Sequence, residues 1–342
     1  MANESLLQLT AMSARVGQNL DLVQAGGGNT SLKDNATLWV KASGKWLINA
    51  AHEEMFLPVP MADIEHQLAT EDEKFPEYKT GNGVSLRPSV ETAVHAVIPQ
   101  RVVIHVHSVR TIAWAARTQG LEKIGTLLNQ FNWSWIPYTH PGIPLAIRIR
   151  QEAAKRPEVL ILENHGLVVA AEDFAPAERL LQAVEDSLDC PIREASGADL
   201  ARLEGLTKDG DWEPAADGEV HSLALLSKSW EIAAAGTMFP DQCVYLGPGA
   251  AILQPQDTLS AAAERYRQAY DFEPVFLIVP GAGVVTRRDI KRAARELLVC
   301  LKRVIERIPE DAQATYLPAS QVARLMNWDA EKYRIALAQL SN

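Results

Sequence analysis

The 342-residue chain is 47% hydrophobic and 22% charged, the composition of an ordinary globular protein with room for two lobes or one domain and an extension. Its net charge of −10 argues against nucleic acid or an anionic membrane as the main partner, so an anionic substrate needs local positive charge, backbone donors or a metal. Cys190, Cys243 and Cys300 contain no CxxC and read as buried thiols; with no basic leader and no apolar run of membrane-spanning length, a cytoplasmic protein is expected.

Leu6, Leu7, Leu9, Met12 and Val16 recur at helical spacing, so the chain opens with an amphipathic helix. It breaks at Gly26-Gly27-Gly28, followed by Asn29-Thr30-Ser31-Leu32, and a strand is expected over 37–41, closed by Ser43-Gly44. The glycines read either as a flexible turn or as backbone that approaches a ligand closely and offers N–H groups to an anion. The Lys-Ser/Thr of a nucleotide loop is missing. Pro88 followed by 89–94 reads as a helix with proline in its first turn. A strand over about 101–107 comes next, and Ser108 is placed to cap a helix through 110–114.

Further strands are expected over 133–138 and 158–163, a turn at Gly166 into 167–171, and a helix over about 176–188. Residues 205–219 (GLTKDGDWEPAADGE) gather Gly, Asp and Pro without apolar periodicity and read as a linker between a domain over 1–204 and an extension over 220–342. Beyond lie a helix near 223–235, strands near 242–245 and 274–279, a long helix near 289–308 and a terminal helical segment including 319–325. Gly281-Ala282-Gly283 fails the dinucleotide pattern and reads as a tight turn, and the basic set from Arg287 to Arg295 as a solvated helix face. Strands and helices interleave throughout, giving α/β or α+β.

The chemistry concentrates in Val103-Ile104-His105-Val106-His107. Alternate residues of a strand share a face, so His105 and His107 stand about 6–7 Å apart along the chain and can converge on one cation. His165, in Glu163-Asn164-His165-Gly166, follows another apolar run. Three neutral imidazoles with an open position are a catalytic zinc arrangement rather than a structural one. The plain alternative is that His105 and His107 line a polar sheet face. Glu91 is either a solvated helix residue or, if it points into a metal cleft, an acid/base whose pKa burial raises. His95 shares its helical face, while His52, His66, His140 and His221 have no metal-like partner in sequence.

In this order GGGNTS, LWVKASG, RPSVETAVHAVIP, VVIHVHS and ILENHG resemble the class II aldolase/adducin-like family over about residues 5–195. The similarity looks closest to the aldolase half of bifunctional rhamnulose-1-phosphate aldolase/alcohol dehydrogenases. TMFPDQCVYLGP, VFLIVPGAGVV and the ending around Trp328-Asp329 look like the tail of that half, with Asn342 closing the chain before any dehydrogenase half. The resemblance implies an α/β fold of three α/β/α layers around a mostly antiparallel central sheet, a C-terminal α/β extension, and a homotetramer or other homo-oligomer. It implies zinc, or another divalent metal, on His105, His107 and His165, with Glu91 as the acid/base. Gly28, Asn29, Ser43, Gly44 and Ser89 match the positions that hold a substrate phosphate, and Lys41 is a further candidate. The implied activity is retro-aldol cleavage of a ketose 1-phosphate or similar hydroxyketone through a metal-stabilised enediolate, in carbohydrate metabolism. Sugar-phosphate epimerases, decarboxylases and non-catalytic adducin scaffolds belong to the same family, though a scaffold has no need of three histidines and Glu91. Two departures stand out: Ser89 is followed by Val90 where smaller family aldolases often carry two serines, and Tyr138 gives no firm match to the tyrosine proton donor of some members.

Overall fold

The opening helix is α1 (Ala2–Gly17) in the computed structural model, which describes residues 2–72, 74, 76–80 and 83–340. The chain continues through β1 (Asn29–Asp34), β2 (Thr37–Lys41), β3 (Phe56–Pro60), α2 (Met61–Thr70), β4 (Tyr78–Lys79), β5 (Ser85–Leu86), α3 (Thr92–Val97) and β6 (Val102–Val106). Then come α4 (Val109–Ala115), α5 (Gly120–Leu127), β7 (Trp133–Ile136), α6 (Ile143–Arg150), β8 (Val159–Leu162), β9 (Gly166–Ala171) and α7 (Phe174–Ser187). Ser108 caps α4 as its position suggested, its Oγ accepting from the Thr111 N–H at 3.0 Å.

The first seven-stranded sheet runs β3-β2-β1-β6-β9-β8-β7 and is antiparallel except for the β7–β8 pair. Its central strands alternate apolar residues to both sides, as a sheet covered on two faces requires. Val102, Ile104, Val106, Ile161 and Val169 face one core, roofed by Leu9 and Met12 of α1 and Leu181 of α7. Val103, Leu160, Leu162 and Val168 face the other, with Ile64 of α2, Val94 of α3 and Ile143 of α6. These are the three layers expected. Strand β1 is almost wholly polar (NTSLKD) and carries no alternation; its pairing on both edges, with β2 and β6, makes it a strand.

Three elements depart from expectation. The helix expected from Pro88 starts only at Thr92, because the Ser89 Oγ accepts from the Glu91 N–H and the Thr92 hydroxyl donates to the Ser89 carbonyl, closing a turn first. After α8 (Leu200–Leu206), the stretch expected as a linker contributes β10 (Trp212–Pro214), anchored by the buried Trp212 side chain. After α9 (Ser227–Ala235), the strand expected near 242–245 is a helix, α10 (Pro240–Leu246), whose residues are all buried, so no helical period shows in the sequence.

The C-terminal region adds β11 (Ala251–Ile252), α11 (Leu259–Tyr270), β12 (Phe276–Val279), β13 (Gly283–Arg287), α12 (Arg292–Glu306), α13 (Ala319–Asn327) and α14 (Asp329–Leu340). Its strands form a second sheet, β10-β13-β12-β11. Phe239, Leu297, Ile305 and Leu325 share one core with Trp46, Val109 and Ile112, so this region is packed onto the first layer system rather than tethered to it. Among the described residues no helix is long and apolar enough to cross a membrane.

Candidate metal centre

Strand register assembles the site. β1 pairs with β6 so that Asn29 lies opposite His105, and β9 pairs on the other edge so that His105 lies opposite Val168. The β8–β9 turn therefore delivers His165 to the same sheet end. That turn needs a left-handed residue at Asn164 (φ 51°), whose side-chain amide donates to the carbonyls of Met238 (2.8 Å) and Thr315 (3.1 Å) in the C-terminal region. His107 stands one residue past the end of β6, and its ring still converges with that of His105. Ring centroids are 5.1 Å apart for His105–His107, 5.1 Å for His105–His165 and 5.3 Å for His107–His165. Glu91, His105, His107 and His165 are all buried, and each offers a ligating atom within 4.8 Å of the others.

The hydrogen bonds sort the ring nitrogens. His105 Nδ1 meets the Leu167 carbonyl at 3.0 Å, and His107 Nδ1 meets Asp241 Oδ2 at 2.8 Å. Their Nε2 atoms are buried without a hydrogen-bond partner, as is Glu91 Oε1. Glu91 Oε2 accepts from the Asn29 amide at 2.9 Å and lies 3.2 Å from His105 Nε2; Oε1 lies 3.4 Å from His165 Nε2. Orphaned acceptors pointing into one buried space leave an unmet polar demand that a divalent cation satisfies. A second hydrogen bond from the far nitrogen is the usual support of a ligating histidine. The donor set fits a divalent metal.

Electrostatics follow the same crowding. Burial, reinforced by the neighbouring His105 and His107 rings, outweighs Glu91 and lowers the His165 ring to about 3, leaving it neutral and able to ligate at neutral pH. Burial also lowers His105, but the Glu91 carboxylate and the Leu167 carbonyl outweigh it and the net shift is upward. Burial pushes the Glu91 carboxyl up, as the sequence suggested, yet His105, His165 and His107 together hold it well below the usual carboxylate range. The expected rise is thus reversed, because three rings face the carboxylate.

The expected substrate residues meet this cluster. Gly28, Asn29, Ser43, Gly44 and Ser89 line one cavity of about 30 Å³ with Glu91, His107 and His165. Lys41 lines it too, but its Nζ donates to the carbonyls of Gly26 and Lys45, both at 2.7 Å, so the side chain braces the glycine loop. Burial, with Arg334 adding to it, lowers that amine to about 7. Asp241, Glu331 and Arg334, all from the C-terminal region, also line the cavity; Asp241 lies within TMFPDQCVYLGP, and none of the three had been read as a site residue from sequence. Tyr138 is not among its lining residues. A wider cleft of about 820 Å³ meets this cavity at Ser43, Val90 and Ala330 and is flanked by Arg87, Arg324 and Trp328.

Comparison with known proteins agrees with the motifs. Residues 8–191 match the model of the Class II Aldolase and Adducin N-terminal domain. The uncharacterized oxidoreductase YuxG of Bacillus subtilis (strain 168) is 30% identical over 183 residues, which are 48% of this chain and 26% of that protein; the match spans about a quarter of the relative's length. Among solved structures, the N-terminal class II aldolase domain of a conserved protein from Thermoplasma acidophilum shares 25% identity, covering 53% of this chain and 90% of that one with a TM-score of 0.44. The l-fuculose-1-phosphate aldolase from Thermus thermophilus shares 20% identity over 53% of this chain and 91% of that one, with a TM-score of 0.39. With the family model spanning more than half of its residues, the chain belongs to the class II aldolase and adducin family.

Proposed function

We propose that the chain is a zinc-dependent lyase that cleaves a ketose 1-phosphate or similar hydroxyketone by retro-aldol reaction. The observation that carries this reading is the set of four buried ligating atoms within 4.8 Å of one another, at the end of a cavity lined by the glycine loop and two serines. His105, His107 and His165 would hold the metal. When bound, zinc supplies Lewis acidity and positive charge to the oxygens of a substrate carbonyl and its adjacent hydroxyl.

The chain's own groups do the rest. Asn29 fixes one Glu91 oxygen, leaving Oε1 as the atom that takes up and returns a proton. The unpartnered Oε1 of Glu91 faces the cavity, where it can exchange a proton with a bound substrate. The Ser89 hydroxyl accepts from the Glu91 N–H, so its own proton is available to an anionic oxygen, and Ser43 and Gly44 face the same cavity. Burial of the cluster excludes water and strengthens each charge contact. The likeness to the aldolase half of a bifunctional rhamnulose-1-phosphate aldolase/alcohol dehydrogenase is supported by the Bacillus subtilis relative, a protein named an oxidoreductase whose matched segment is 26% of its length.

Metal analysis of the purified chain tests the centre: about one zinc per chain is expected, and His107→Ala should lose it while keeping the wild-type circular dichroism spectrum. Product analysis with a panel of ketose 1-phosphates tests the chemistry. An aldehyde and a three-carbon ketone phosphate support it; an epimer, or carbon dioxide from an added sugar-acid phosphate, instead redirects the assignment to the family's other reactions, and a metal-free wild type ends it.

A further inference from the structure

Asp241 reaches the centre from outside the matched domain, which ends at residue 191. It sits in the first turn of α10, is 2% exposed, and places Oδ2 2.8 Å from His107 Nδ1. Its other oxygen takes the guanidinium of Arg334 on α14, and Arg334 in turn donates through Nε to Glu331 at 2.7 Å. A carboxylate paired in this way only accepts hydrogen bonds. The proton between the two groups therefore belongs to His107 Nδ1, and the buried, unpartnered Nε2 carries the lone pair.

The glycine loop reflects the same contact. A Cβ on Gly27 would come within 2.9 Å of both Asp241 Oδ2 and His107 Nδ1. Real Cβ atoms do not approach so closely, so the pair, together with the Gln24 carbonyl at 3.0 Å, keeps this position of the glycine loop bare.

We propose that Asp241 is a positioning residue, which holds His107 in the Nδ1–H tautomer and leaves its Nε2 available to the metal, so that the C-terminal region completes the centre of the N-terminal layers. This rests on the metal centre proposed above. Loss of such an outer carboxylate typically weakens metal binding by about 10–100-fold. Asp241 also clasps α14 through Arg334, and a purely structural role of that kind would change stability without changing the affinity of the folded chain for zinc.

The experiment is zinc affinity by chelator competition for the full-length wild type, Asp241→Asn and Gly27→Ala. It is paired with nitrogen-15 spectra of the imidazoles in the metal-free wild type. Expected are a zinc Kd raised about 10–100-fold in Asp241→Asn, a rise in the same direction in Gly27→Ala, and a His107 signal protonated at Nδ1 and bare at Nε2. Should Asp241→Asn fail to fold, the other two readings still decide the matter. Wild-type zinc binding with an unchanged Kd in both variants, or a His107 proton on Nε2, overturns the inference alone. A wild type that takes no zinc overturns it together with the proposed function.

Discussion

Replacing Glu185 with Gln removes a buried carboxyl from the anchor directly behind the histidine strand. Glu185 lies on α7, is 5% exposed, and accepts from the hydroxyl of Ser108, the residue that follows His107 and caps α4. Burial pushes its carboxyl from the usual 4.5 up to about 7, with Ser108 and Arg110 opposing it. The folded chain thus keeps a proton that the unfolded chain releases. Stability from this group is fully present below about 4.5 and is lost as pH rises through about 7. Integrated from pH 5 to pH 8, the loss amounts to about 2–3 kcal/mol. With so little exposure, solvent screening takes little from it. Urea unfolding of both proteins in chelator across this range isolates the effect, because other titrations cancel in the difference between them. The stability of Glu185→Gln relative to wild type should rise with pH by about 2–3 kcal/mol. A difference flat to within about 0.5 kcal/mol, which is near the error of the extrapolation, refutes the buried proton.

Other perturbations test the parts around the cavity. Gly44→Ala forces a methyl group to φ 74° and within 2.8 Å of Leu337, so urea unfolding should show a loss of about 2–3 kcal/mol, with α14 becoming more open to protease. An unchanged midpoint would mean that α14 does not seat there. Asn164→Ala strips two donors from buried carbonyls at a left-handed position, which should cost about 3 kcal/mol and speed zinc release to a chelator; a destabilised protein with unaltered release would separate the turn from the centre. The cavity of about 30 Å³ holds a few water molecules at most, and Ala330, Glu331 and Arg334 line it beside the wider cleft, so seating a sugar phosphate there requires α14 to shift. Amides of 331–337 should therefore exchange faster than those of α12 and slow when a ketose phosphate binds. Equal protection of both helices in a chain that turns over substrate would refute this route of entry.

How far the site could be read from sequence depends on how far each signal reaches along the chain. His105 and His107 share one short segment, so a period of two found them, although only His105 lies within β6. His165 was marked by its turn, and runs such as Val159–Leu162 marked strands, while the layered antiparallel sheet came only from the family resemblance. Asp241 stood within TMFPDQCVYLGP, but nothing in that segment pointed to a role at the centre. It lies 134 residues from His107, inside a helix buried on all sides that reads like a strand, and an aspartate beside a proline looks like any other turn. Arg334 and Glu331 are equally ordinary helix residues until tertiary packing folds α14 over the cavity. The glycine run shows where local reading met its limit. Its chemistry was legible as close approach, which the sequence analysis connected to an anionic ligand. Gly28 does take a left-handed turn, at φ 62°, against the His105 carbonyl. Gly27, however, is bare because a protein carboxylate and a histidine already occupy the space its side chain would need. A residue can thus announce that something comes near it while only the packed chain reveals what that something is, and here it is a group supplied from beyond the matched N-terminal domain.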